Sequence, residues 1–438
     1  MTRSSYRRGL NSFSLVVAVL FAGGEISACA RPDPPATSTA GAGERGNADA
    51  GAGSNESAAA ASSEVQEKAK AEAEAEAVRK SELRHHVVAA DRILVPYVLL
   101  IEGGPEKPPT PTRAELQAMV RAAFPDDLED PEVRRLLEMI SREPSAGGAA
   151  PRLLPGGAGD PLDPAAYARA PEHLALLIEV IAADTVVGEA VLADFELTRG
   201  LRPEERSSLP GRRWALILRG EYRNQHGVRG LRLLQTLVRV VAREMGALIH
   251  DADTLETVNV DIFSARRLRA GVDNIADQIP VVPFPDPAHP GKLRLVTRGM
   301  RRFGSVDLEL GGLPMDPHTL ARATFFLHGL ARTVVGLGEV DRSGIAVEIP
   351  ELIRVEFEAC ARAYAGREAS LPRCQECPEE VDVHLVERER EPQDAPEHIV
   401  ARVVAPRFES DAPGYDQSIW VRSAIARLFG SVEVSPTK

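Results

Sequence analysis

The chain has only four cysteines in 438 residues, too few for a scaffold built on disulfides. Positive charge is also in deficit, with 52 lysines and arginines against 64 aspartates and glutamates and a formal net charge of −12. An acidic chain repels phosphate backbones, which argues against sequence-independent nucleic-acid binding. No GxSxG elbow, HExxH helix, P-loop or dinucleotide glycine fingerprint occurs, so none of the reactions those signatures carry is indicated. The one Ser-x-x-Lys, Ser435 to Lys438, stands at the extreme carboxyl end, where no pocket can form around it. Beyond residue 30 no run approaches 18 apolar residues, so that part of the chain is expected to be soluble.

What is present begins at the N-terminus. Arg3, Arg7 and Arg8 precede an apolar run from Phe13 to Ala22, the order of an export signal and too short for a lasting transmembrane helix. The next residues, Ile26-Ser27-Ala28-Cys29, resemble the lipobox of bacterial lipoproteins. The resemblance implies cleavage before Cys29, a diacylglycerol thioether on its sulfur and a further acyl chain, such as palmitate, on the new amino group. Three acyl chains would make membrane attachment stable. Ala30 after the lipidated cysteine implies delivery to the outer membrane, with the domain facing either the periplasm or the exterior. Ala28-Cys29-Ala30 also fits an ordinary signal-peptidase site, and cutting there would release a secreted soluble protein. Loss of residues 1–28 takes away three arginines and Glu25 and leaves the net charge at −14. Attachment to a bilayer is therefore expected through lipid, not overall charge.

Residues 29–62 are almost wholly small and polar and are expected to form a flexible tether. A charged helical stalk is predicted over 63–90. Ser63 and Gln66 fit a capping box, Glu64/Lys68, Lys68/Glu72 and Glu76/Lys80 fall at i,i+4 spacing, and His85 and His86 sit where a helix dipole favours cations. From 91 to 438 the composition is globular, with two subdomains, 91–272 and 273–438, as one division.

In this region ILVPYVLLI reads as a strand, in which Pro96 suggests a sheet edge or an irregular start. Residues 112–124 read as an amphipathic helix, 131–140 as a second short helix, 144–165 as a Gly/Pro-rich surface loop, and HLALLIEVI as a buried strand. Between Arg213 and His250 a strand, a helix with Leu231, Leu234, Leu237, Val238, Val241 and Met245 on one side, and the strand ALIH make a β-α-β unit. Further strands are predicted at 278–284, 292–297, 305–310, 344–349, 380–387 and 399–405, and helices at 260–270, 317–336, 350–364 and 418–429. This mixture predicts an α/β or α+β fold, a mixed sheet packed with helices. Asp251 and Thr254 in ALIHDADTLE, with Gly299, Phe303 and Gly304 in RGMRRFGSVDLEL, make residues 214–310 resemble domains of uncharacterised bacterial proteins. That resemblance implies a fold and no activity.

Three clusters could carry chemistry. Cys360, Cys374 and Cys377 are disulfide candidates in an oxidising compartment. A bridge from Cys360 to one of the loop pair is the expectation, with the Cys374–Cys377 pair bridging itself as the alternative. The same three thiols with His384 compose the candidate zinc set. His250, Asp251 and Asp253 end a predicted strand, where ligand sites often form, and could exchange protons or bind a metal. The plainer reading is an Asx turn. A calcium loop starting at Asp251 is excluded, because Glu256 and Ile262 stand at its sixth and twelfth positions. Arg298, Arg301 and Arg302, beside Gly299 and Gly304, could hold an anionic ligand, but in an acidic chain they are expected to lie in a solvated turn. His318 and His328 lie too far apart around one helix to share a metal. The resulting expectation is a lipid-anchored envelope protein with a non-catalytic binding or structural domain and no bound cofactor. Its partners would be the membrane, through Cys29, and another envelope protein. An envelope enzyme or a carrier using the His250/Asp251/Asp253 corner is the alternative.

Overall fold

The computed structural model describes residues 85–90, 92–144, 152–155, 174–268, 272–339, 349–365, 371–374, 376–389, 391, 394 and 399–430. Cys29, the tether and residues 63–84 of the predicted stalk lie outside them. So do residues 344–348 of one predicted strand.

The first sheet grows from the most apolar segment, β2 (Ile93–Ile101). It has five strands in the order β4-β5-β2-β6-β7, where β4 is Ala175–Ala182, β5 Trp214–Tyr222, β6 Leu248–Asp251 and β7 Thr257–Val258. Every neighbouring pair is antiparallel. Of the two readings of Pro96 the sheet edge is overturned, since this strand is the central one. Pro96 is accommodated because β6 pairs only with Tyr97–Leu100, so the proline lies just past the end of that ladder. Since β5 and β6 each run antiparallel to β2, they are parallel to each other, and the predicted β-α-β unit is present with β2 inserted between its strands.

One face of this sheet is covered by α1 (Arg113–Ala123), α2 (Pro131–Ser141) and α3 (Arg229–Glu244). Each start has a local cause. Thr112 and Glu115 form a capping box, and Asp130 caps α2 with Pro131 at its first position. On α3, Leu231, Leu234, Leu237, Val238 and Val241 are buried, the 3.6-residue face read from sequence. Its first turn presses on β5, where a Cβ at Gly230 would stand 2.2 Å from Tyr222 Cβ. Gly230→Ala is expected to cost about 1–3 kcal/mol through this overpacking, measured as a lower urea midpoint at unchanged slope. An unaltered midpoint would mean that the helix shifts freely on the sheet.

The second sheet has six strands in the order β11-β12-β13-β10-β9-β8. They are β8 (Val281–Pro285), β9 (Leu293–Thr297), β10 (Asp307–Leu313), β11 (Ile353–Glu356), β12 (Glu380–Glu387) and β13 (Val400–Val404). The pair β10–β13 is parallel and the other pairs are antiparallel, which makes this the mixed sheet. The apolar helices α5 (Pro317–Leu337) and α7 (Gln417–Phe429) pack on it. Helix α4 (Val260–Arg267) packs against α3, and the short α6 (Phe357–Arg362) against α5. The first sheet draws its strands from residues 93–258 and the second from 281–404, and one continuous buried cluster spans both.

Three expectations are corrected. His85–Val88 is not the end of a helix but β1, paired with β3 (Arg152–Pro155) inside the stretch read as a surface loop. The adjacent β-branched Val87 and Val88 favour a strand, and Val87 is buried. Residues 350–364 are not one helix, because Ile353 and Val355 alternate with exposed Arg354 and Glu356 in β11 before α6 begins.

Candidate functional site

The corner named from sequence lies at the end of β6. Asp251 Oδ1 accepts hydrogen bonds from the backbone N–H groups of Asp253 at 3.2 Å and Thr254 at 3.4 Å, and Leu255 N–H donates to Asp251 O at 2.7 Å. This is an Asx turn. It delivers the carboxylates inward, where Asp251 is 2% exposed and Asp253 0%.

Their partners come from two other elements. Met300–Phe303 forms a single 3₁₀ turn between Gly299 and Gly304, both at positive φ. Arg302 Nη2 donates to Asp251 Oδ1 at 2.6 Å, and Arg301 Nη2 to Asp253 Oδ1 at 2.6 Å. Arg267 of α4 reaches Asp251 Oδ2 at 3.3 Å and Glu256 at 2.9 Å. The segments around Asp251/Thr254 and Gly299/Gly304 are therefore fastened together by ion pairs. The solvated turn expected for Arg301 and Arg302 is overturned, since Arg302 is fully buried. Arg298 lies with its guanidinium 5.7 Å from the Phe284 ring centroid.

A shell of neutral polar groups completes the network. Gln235 Nε2 donates to Tyr97 OH at 2.8 Å and to Gln278 Oε1 at 2.8 Å, while Gln278 Nε2 donates to Arg267 O at 3.0 Å. Tyr222 OH donates to Arg302 O at 2.7 Å. Burial pushes the Asp251 carboxyl up, but the charges of Arg302 and Arg267 outweigh it and hold the group below its ordinary range. Burial raises the Tyr97 phenol to about 12. His250, bonded through Nδ1 to Thr257 Oγ1 at 3.0 Å, is pulled down to about 4 by burial, against the opposing charge of Asp251.

This arrangement ties two segments together with both carboxylates 2% exposed or less. A general base must come within hydrogen-bond reach of the proton it removes, whereas these carboxylates face inward onto arginines. Sequence reasoning named Asp251, Asp253, Arg301 and Arg302 but did not join them, and it passed over Arg267, Tyr97, Gln235 and Gln278. One signal was legible, because Gln235 interrupts the apolar face of α3. A second network escaped notice altogether. Glu309 on β10 accepts from Arg294 at 2.9 Å and pairs with Arg388 at 2.9 Å and Arg402 at 3.3 Å, and burial pushes its carboxyl up.

The cysteines resolve differently from the main expectation. Cys374 and Cys377 are bridged to each other, and Cys360 is free and buried. The expected Cys360 bridge is absent because its helix α6 presses that sulfur against Gly329 of α5, while the loop pair rests on Gly430 at the end of α7. The candidate zinc set is not assembled either, because two of its thiols are spent in the bridge and His384 Nδ1 faces Glu351 O at 3.1 Å. Among the described residues no group of three or more histidine, cysteine or carboxylate side chains is placed to hold a metal. His318 is exposed. His328 is buried between Tyr364 OH at 2.5 Å and Ile279 O at 2.8 Å.

A cleft of about 120 Å³ lies between Val381, Phe408, Trp420 and Arg427, well below the roughly 300–1,000 Å³ of ordinary ligand pockets. No described helix is long and apolar enough to cross a membrane. No protein-family model matches the chain, and neither a curated protein nor a solved structure matches it.

Proposed function

We propose that this chain is a lipid-anchored protein of the bacterial cell envelope, delivered to the outer membrane, whose two-sheet region binds an envelope partner or serves as a structural element without performing chemistry. The observation that carries the non-catalytic part is the occupation of Asp251 and Asp253 by Arg267, Arg301 and Arg302 at 2% exposure or less. Fixed, desolvated ion pairs of this kind favour holding elements in register over turning over a substrate. The lipobox at Ile26–Cys29 supports the anchoring part.

Two measurements test the parts separately. Peptide mass spectrometry of the protein from host membranes is expected to find an acylated peptide beginning at Cys29, and Cys29→Ser is expected to move the protein into the soluble fraction. A soluble product beginning at Arg31 would refute the anchor. A hydrolytic activity on envelope polymers that disappears in Asp251→Asn or Asp253→Asn, with folding retained, would refute the non-catalytic reading.

A further inference from the structure

Helix α3 is buried on nearly every side. Of its sixteen residues only Arg229, Arg232, Thr236, Arg239, Arg243 and Glu244 are not buried. At 100° per residue the first five fall within about 80° of one another, so the solvent seam of the helix is a line of arginines. Arg229 is neutralised by Glu132 at 3.3 Å. Among the described residues Arg232, Arg239 and Arg243 make no ion pair, and neither does Arg121 in the last turn of α1. Arg239 lies over the Phe124 ring at 5.7 Å. Burial, and next the charge of Arg243, push its guanidinium below the ordinary range. Elsewhere on this acidic chain, exposed Arg134, Arg202 and Arg354 are matched with carboxylates, while Arg213, Arg422 and Arg427 are exposed without a carboxylate partner among the described residues. The α3 arginines differ from these in lying along one line of a single helix. Three unmatched guanidinium groups spread over about 16 Å of helix therefore call for an anionic partner.

We propose that the Arg232/Arg239/Arg243 seam docks the domain onto the phosphate headgroups of an anionic bilayer. The net charge of −12 does not forbid this. In about 0.1 M salt the screening length is roughly 10 Å, so a surface senses the charges that face it and not the total. Guanidinium groups suit phosphate oxygens through paired N–H donors. The inference rests on the proposed tethering only for what keeps the domain near a bilayer.

The test uses the processed chain beginning at Arg31, which carries no lipid, so a failure of docking is separable from a failure of the anchor. Its co-sedimentation is measured with vesicles of phosphatidylcholine alone and of phosphatidylcholine with phosphatidylglycerol, at low and at high salt, beside binding to polyglutamate. Binding to the anionic vesicles alone is expected, weakening with salt. The triple variant R232Q/R239Q/R243Q should lose it by about a hundred-fold, from roughly a five-fold contribution by each arginine, while a control triple R134Q/R135Q/R354Q retains it. Absence of binding to anionic vesicles, an equal loss in the control, or capture by polyglutamate in preference to vesicles would each overturn the proposal.

Discussion

Replacing Arg302 by methionine is expected to destabilise the protein by about 3–5 kcal/mol, the usual cost of leaving a buried charge without its partner. Of its charged partners Asp251 would keep only the more distant Arg267, which is shared with Glu256, and Tyr97 OH and Gln278 would lose a charged neighbour. The informative comparison is with Asp251→Asn and the double variant. In the double variant Arg267 retains Glu256 and Arg301 retains Asp253, so the remaining charges stay balanced. The double variant should then be less destabilised than the sum of the two single changes, with a coupling of about 1–3 kcal/mol. Denaturant midpoints at neutral pH supply all three values. Strict additivity would show that the Arg302–Asp251 pair does not act as a unit, and the account of this corner as a joint would fall.

That joint also marks how far the sequence could be read. Helix α3 was legible because Leu231, Leu234, Leu237, Val238 and Val241 repeat at helical spacing, and β2, β4 and β5 because their apolar runs are bounded by turns or charges, although β4, expected to be buried, is an edge strand with Leu177 exposed. The Asx turn at Asp251 was legible because its geometry is local. The arginines that complete it were not, because 51 residues separate Asp251 from Arg302 and no short-range rule links them. Strands β1, β3, β7 and β11 have four residues or fewer, too short for a period to register, although the alternation Ile353, Val355 and Phe357 was there to be seen. Pro96 misled through a sound rule whose exception is topological, since the strand is central while the neighbouring ladder stops one residue short. Among the cysteines, chain distance gave no way to choose a partner. The choice follows from Gly329, whose missing side chain admits the Cys360 sulfur to the contact between α5 and α6.

Lowering the pH from 7.5 to 5 is expected to weaken the fold by about 4 kcal/mol through two histidines. His328 Nε2 faces the carbonyl of Ile279, which can only accept, so that nitrogen carries the proton and Nδ1 receives the hydrogen bond from Tyr364 OH. A second proton would land on Nδ1 and abolish that bond inside an apolar surround. Burial accordingly pulls His328 down to about 4, and His250 likewise to about 4. Below the unfolded value of about 6.5 the unfolded chain binds protons that the folded one refuses. The stabilisation is therefore complete above that value and is lost as pH falls toward 4. Between pH 7.5 and 5 the loss is about 2 kcal/mol for each histidine, from 1.4 kcal/mol per pH unit below 6.5. Glu309, held high by burial, acts in the opposite sense at the acid end, so the total slope alone does not assign the effect. Urea midpoints of His328→Gln and His250→Gln across this range do assign it. Each variant should start less stable at pH 7.5 and show about half the parental loss by pH 5. A variant with the parental slope would mean that its imidazole takes up protons in the folded protein as readily as in the unfolded one, contrary to its burial.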